Sequence, residues 1–164
     1  NTSSLPINAL TDTASIYYRA ELAGFSVSSE RWLNLSQYAA NKFPNMGQSF
    51  ADVHSALAHA MAGNEDQLSK LINGKRGFAG DLVSPVAKAW RAISENNWDE
   101  ARQELELASS EFERFGGSRA QRDLFEFTYV NLLLRTGRKE VAKKLLLERR
   151  PKLCETAPIK ALTI

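Results

Sequence analysis

Between joints rich in glycine and proline, apolar residues of this chain recur at three- and four-residue spacing, with almost no strict alternation. That period belongs to amphipathic helices and leaves no room for a half-buried sheet. The longest stripe, Trp98, Ala101, Leu105, Ala108, Phe112 and Phe115, predicts one continuous five-turn helix over 98–114. Trp32, Leu35, Ala39 and Phe43 form a shorter stripe, as do Phe50, Val53, Leu57 and Met61. A chain of 164 residues with 43% apolar content can bury one respectable core, so a single domain is expected.

The joints carry helix-start chemistry. Asn64, Asn97 and Gly137 each stand three positions before a Gln or Glu, the spacing of a capping box, and Ser28 opens the series. These joints recur every 33 to 40 residues, close to the ~34-residue period of tetratricopeptide repeats, whose helical hairpins must stack to cover their apolar faces. The pattern predicts an all-α, TPR-like α-α superhelix of about four antiparallel helical hairpins. First helices are expected over 11–23, 49–62, 85–95 and 119–135, and second helices over 29–43, 65–73, 98–114 and 138–149. Ser84-Pro85 reads as the start of a helix, which leaves 73–84 as the loosest loop.

The segment "GGSRAQRD" at 116–123 is a helix stop followed by a helix start. Two glycines end the long stripe, and Ser118 with Gln121 makes a capping box for the next helix. Asp123 suits the positive helix start, and Arg122 has a carboxylate on a neighbouring helix as its expected partner.

This same string, extended to "FGGSRAQRDLFE" (115–126), resembles the most characteristic motif of the tetratricopeptide repeat protein 38 family. Similar matches lie in "DTASIYYRAELAG" (12–24), "ERW" (30–32) and "FADVHSALAHAMAG" (50–63), in family order over roughly residues 9 to 151. The resemblance implies the C-terminal portion of a longer helical-repeat protein. It implies no activity, since the family has none firmly established.

Charge and cysteine content narrow the functional classes. The formal net charge of +2 gives too weak an average field to announce nucleic acid, and no run approaches the ~18 apolar residues of a membrane span. A single cysteine, Cys154, excludes an intrachain disulfide and a multi-cysteine metal site, which makes the cytoplasm the expected compartment. His54 and His59, the only histidines, are five residues apart and so point about 140° apart on a helix, a poor metal pair. No metal, cofactor or catalytic residue is assigned.

The leading functional expectation is a protein-interaction module that holds a peptide or protein partner in the shallow groove of the first helices, through Lys88, Arg91, Arg122 and Asn131. The alternative is an enzyme whose missing N-terminal repeats complete a polar pocket. Asp12, Arg19, Asp52, His54, Arg122 and Asp123 would line it, with Asp52, His54 and Arg122 as this piece's share of the pocket and His and carboxylates doing acid–base work. Inter-repeat ion pairing is the structural reading of the same charges. The basic stretch 135–152 reads as a solvated face with a Glu140–Lys144 pair, and self-association is the third possible use of the fold.

Overall fold

A computed structural model describes residues 5–152. Cys154 lies outside the described residues. Among them are eight α-helices and no strand: α1 (Pro6–Leu22), α2 (Ser29–Lys42), α3 (Ser49–Ala62), α4 (Glu65–Asn73), α5 (Gly80–Ser94), α6 (Trp98–Ala108), α7 (Arg119–Arg135) and α8 (Lys139–Arg149), with a short 3₁₀ helix at Phe112–Phe115 before α7.

The starts of four helices are written in their caps. Ser28, Asn64, Asn97 and Ser118 each accept a hydrogen bond from the backbone N–H three residues on. At Ser118 the box is complete, because the Gln121 side chain returns to the Ser118 N–H at 2.8 Å. The expected cap at Gly137 is not used. Gly137 has φ 74° and closes α7, so Arg138 takes the cap position of α8 without a side-chain bond.

Three other expectations are corrected. The helix over 98–114 ends at Ala108, where the Ser109 hydroxyl donates to the Glu106 carbonyl at 2.9 Å and competes with the helical ladder. The apolar register survives the break, since the 3₁₀ turn still buries Phe112 and Phe115 against Phe125. Helix α5 starts at Gly80, which places Pro85 inside it and shortens the loop expected over 73–84. Pro85 lacks the N–H that would meet the Asp81 carbonyl, a loss tolerated one turn in. Helix α1 starts earlier than residue 11, at Pro6, where proline's missing donor costs nothing.

Each helix packs on the next in chain order, and α1 also packs on α3, α3 on α5 and α1 on α7. Helix α3 sits in the middle, with every residue from Ala51 to Ala60 buried. Tyr18 of α1, His54 of α3, Trp90 of α5 and Phe125 of α7 meet there: Tyr18 and Phe125 have ring centroids 5.0 and 6.3 Å from Trp90, and His54 lies 5.4 Å from Phe125. The Trp90 indole N–H donates to the Val53 carbonyl at 3.2 Å, fixing the ring between helices. This aromatic junction lies among the first helices, along which the sequence suggests a shallow groove.

Two glycines permit close approach. Gly117 has φ 73°, and a Cβ there would lie 2.8 Å from the Phe50 ring. Gly77, at φ 85°, would place one 2.3 Å from the Gly47 carbonyl oxygen, so the loops before α3 and α5 touch through bare backbone.

Candidate functional site

The residues proposed for an acid–base pocket bond to separate partners. Asp52 is buried near the start of α3 and accepts from the Gly47 N–H at 2.9 Å. Burial raises its pKa, and the Gly47 bond opposes that rise. His54 is completely buried and donates from Nδ1 to the Phe50 carbonyl at 2.7 Å. Its Nε2 has no partner among the described residues. Burial lowers its pKa to about 4, against smaller upward pulls from Phe50 and the exposed Asp12 carboxylate. The imidazole is therefore neutral at pH 7 and packs as a ring. Arg122 donates to the carbonyls of Gly116 and Gly117 and so holds the two-glycine turn, where a carboxylate partner was expected. Arg19 donates to the Ala120 carbonyl at 2.7 Å, tying α1 to the start of α7.

Asp123 does form an inter-helix ion pair. With Glu126 it receives Arg150, and the three side chains are only 10–17% exposed. The basic C-terminal stretch is thus partly folded inward. Lys144 reaches Glu148 at 3.9 Å, in place of the Glu140 pairing expected from spacing.

His59, weighed in the sequence only as a metal ligand, belongs to a small polar cluster. The Asn64 amide donates to the Ser36 hydroxyl at 3.2 Å, and Ser36 lies 2.8 Å from His59 Nδ1. Burial, helped by Lys70, lowers the His59 pKa also to about 4. Ser36 is wholly buried and so is unsuited to attack a substrate.

The four residues chosen for a partner groove do not share one. Lys88 faces Glu104 at 3.8 Å, and Arg91 binds Glu65 and Ser69 across the α4–α5 seam. Arg122 lies at the start of α7. Arg91 lines a cleft between α3, α4 and α5, and Asn131 lines a separate one among the first helices.

That cleft, about 330 Å³, gathers the C-terminal ends of all four: Tyr18, Glu21 and Leu22 from α1, Met61 from α3, Ile93 and Ser94 from α5, and Asn131 and Arg135 from α7, with Asn96 and Trp98 closing one side. The Arg135 guanidinium lies 4.2 Å above the Trp98 ring, and its Nε donates to Asn131 Oδ1 at 2.9 Å. Indole and amide together fix the guanidinium plane. Its Nη1 and Nη2 make no hydrogen bond among the described residues. In the same lining Glu21 accepts from the Val27 N–H at 2.9 Å. Asn96, with φ 59°, is the one non-glycine residue among those described in the left-handed region, which asparagine enters more readily than other side chains. Burial drives the Tyr18 phenol far above its usual range, with Arg135 pulling partly back.

Sequence reasoning assigned Asn131 but passed over Arg135, Trp98 and Glu21. The i, i+4 spacing of Asn131 and Arg135 was the available signal. No group of three or more metal-ligating side chains occurs among the described residues, and no helix there is long and apolar enough to cross a membrane. Compared with known proteins, the chain matches no protein-family model, and no solved structure matches it significantly.

Proposed function

We propose that this protein is a TPR-like interaction module of stacked helical hairpins that receives a short extended peptide at the cleft of α1, α3, α5 and α7. One observation carries the reading: Glu21 of α1 and Arg135 of α7 line the same cleft without pairing to each other. A peptide backbone presents both N–H donors and C=O acceptors, so it can meet an anionic and a cationic side chain at once. The two free Arg135 nitrogens suit a peptide carboxylate or carbonyl, and Glu21 suits N–H groups or a basic side chain. Helix C-termini carry partial negative charge, so four of them gathered here add to the pull on donors. Met61, Leu22 and Ile93 supply an apolar floor for one anchoring side chain.

The test is to select peptides from a random display library on the described chain and titrate the selected sequences against variants. Arg135→Ala and Glu21→Gln should each weaken binding about tenfold, since hydrogen bonds to charged groups contribute roughly 1.5–3 kcal/mol. Glu21→Gln keeps an oxygen for Val27, so it removes charge without freeing the loop. Lys88→Ala should leave affinity unchanged. Selected peptides that bind both cleft variants as tightly as the parent chain would defeat the proposal.

A further inference from the structure

At the other end of α7 a second cleft, about 350 Å³, opens between the 3₁₀ turn and the α7–α8 pair. Arg119, Arg122, Arg149 and Arg150 line it with Glu113 and Glu126, and Asp123 beside it also binds Arg150, so one positive charge is in excess and Arg119 and Arg122 are the arginines left without a carboxylate. Glu126 is already committed to Arg150, while Arg149 donates to the Ser109 carbonyl at 3.0 Å.

The position of Arg119 and Arg122 is the anomaly. Both stand in the first turn of α7, where the helix is positive, and that turn contains no acidic residue. Cations there are repelled by the helix and belong at its other end. Neither arginine finds a carboxylate among the described residues; Arg119 donates to the Arg149 carbonyl at 2.7 Å and Arg122 to the two glycine carbonyls. A guanidinium has five N–H donors, so both keep donors for something else. The exposed Ser110 hydroxyl, also in the lining, has no hydrogen-bond partner among the described residues.

We infer that this cleft binds a phosphate monoester dianion, held by Arg119 and Arg122 with the Ser110 hydroxyl. A single carboxylate would match only one of these two guanidinium groups. A phosphate with both acidic protons removed matches both, and its three acceptor oxygens can engage two guanidinium groups together. The same chemistry is presented by free phosphate and by a phosphorylated serine in a peptide.

Calorimetric titration with inorganic phosphate, a phosphoserine peptide, the same peptide with serine, and the same peptide with glutamate separates these sources. Binding of the phosphopeptide alone assigns the site to a modified protein segment, and binding of inorganic phosphate shows that the free ion suffices; either supports the inference. Phosphopeptide affinity should rise between pH 5 and pH 7, as the second phosphate ionisation near pH 6 completes. Arg119→Gln should weaken binding about tenfold, the loss of one charge-assisted contact. Because that change also removes the bond to Arg149, Glu113→Gln serves as a gain-of-affinity control: it deletes an opposing charge on the exposed rim and should tighten binding about threefold. The inference is overturned by absence of binding to both phosphate ligands, by equal binding of the glutamate peptide, or by affinities that neither substitution moves.

Discussion

The two ends of α7 handle positive charge in opposite ways. At the C-terminal end, Arg135 agrees with the helix dipole, rests on Trp98 and is steadied by Asn131, so its position is accounted for before any ligand arrives. At the N-terminal end, Arg119 and Arg122 oppose the dipole and find only backbone oxygens. A charge that its surroundings already favour can serve as a tuned contact in a balanced cleft. A charge that its surroundings disfavour implies an anion that supplies the missing compensation. In the two proposals the same helix offers a peptide cleft at one end and an oxyanion cleft at the other.

Both ends are carried by one buried middle, and the largest expected effect of a single substitution comes from removing it. Trp90, 1% exposed, touches Tyr18 and Phe125, so Trp90→Ala should cost about 3–5 kcal/mol in urea unfolding and weaken ligand binding at both clefts. Loss at one end only would show that the ends are supported independently.

Acid should come next. His54 and His59 have folded pKa values of about 4, below the ordinary 6.5, so protons prefer the unfolded chain. Each histidine's contribution is fully present above pH 6.5 and is lost as pH falls towards 4, roughly 3 kcal/mol per group. The raised pKa of Asp52 acts with the opposite sign and offsets part of this loss at the acid end. His54→Phe keeps a ring against Phe50 and Phe125, and should halve the acid dependence measured from denaturant midpoints between pH 7 and pH 4. An unaltered slope would place the acid sensitivity elsewhere.

The smallest effects separate the arginines themselves. Arg150 is tied to Asp123 and Glu126 in a mostly buried network, so Arg150→Ala should destabilise by about 2–3 kcal/mol. Arg135→Ala removes an exposed group and should cost less than about 1 kcal/mol while weakening peptide binding. Equal thermal shifts in the two variants would erase the distinction between a structural and a receiving arginine.

Much of the helix layout was legible because it is local. Ser28, Asn64, Asn97 and Ser118 cap the helices they precede, and the two-glycine segment stops one helix where the capping box starts another. The misread boundaries are places where two local signals compete. Ser109 breaks a stripe whose apolar spacing continues, Pro85 is tolerated inside a helix, and Gly137 ends α7 at a position that also resembles a start. The candidate site was mostly hidden, because it depends on α1 reaching α7. No periodicity reports that Glu21 will share a cleft with Arg135, or that Arg122 will spend its guanidinium on its own turn. His54 could be weighed correctly, since a histidine flanked by Phe50 and Leu57 on an apolar helix is more often packed than reactive.

Tryptophan fluorescence tests the peptide cleft most directly. Of the three tryptophans, Trp32 and Trp90 are buried at 2% and 1% exposure, whereas Trp98 lines the cleft under Arg135. Titration with a selected peptide should change the emission saturably, Trp98→Phe should abolish that change, and a phosphoserine ligand at the far end of α7 should leave it untouched. An unchanged spectrum while calorimetry shows the peptide bound, or a change that persists in Trp98→Phe, would contradict the assignment.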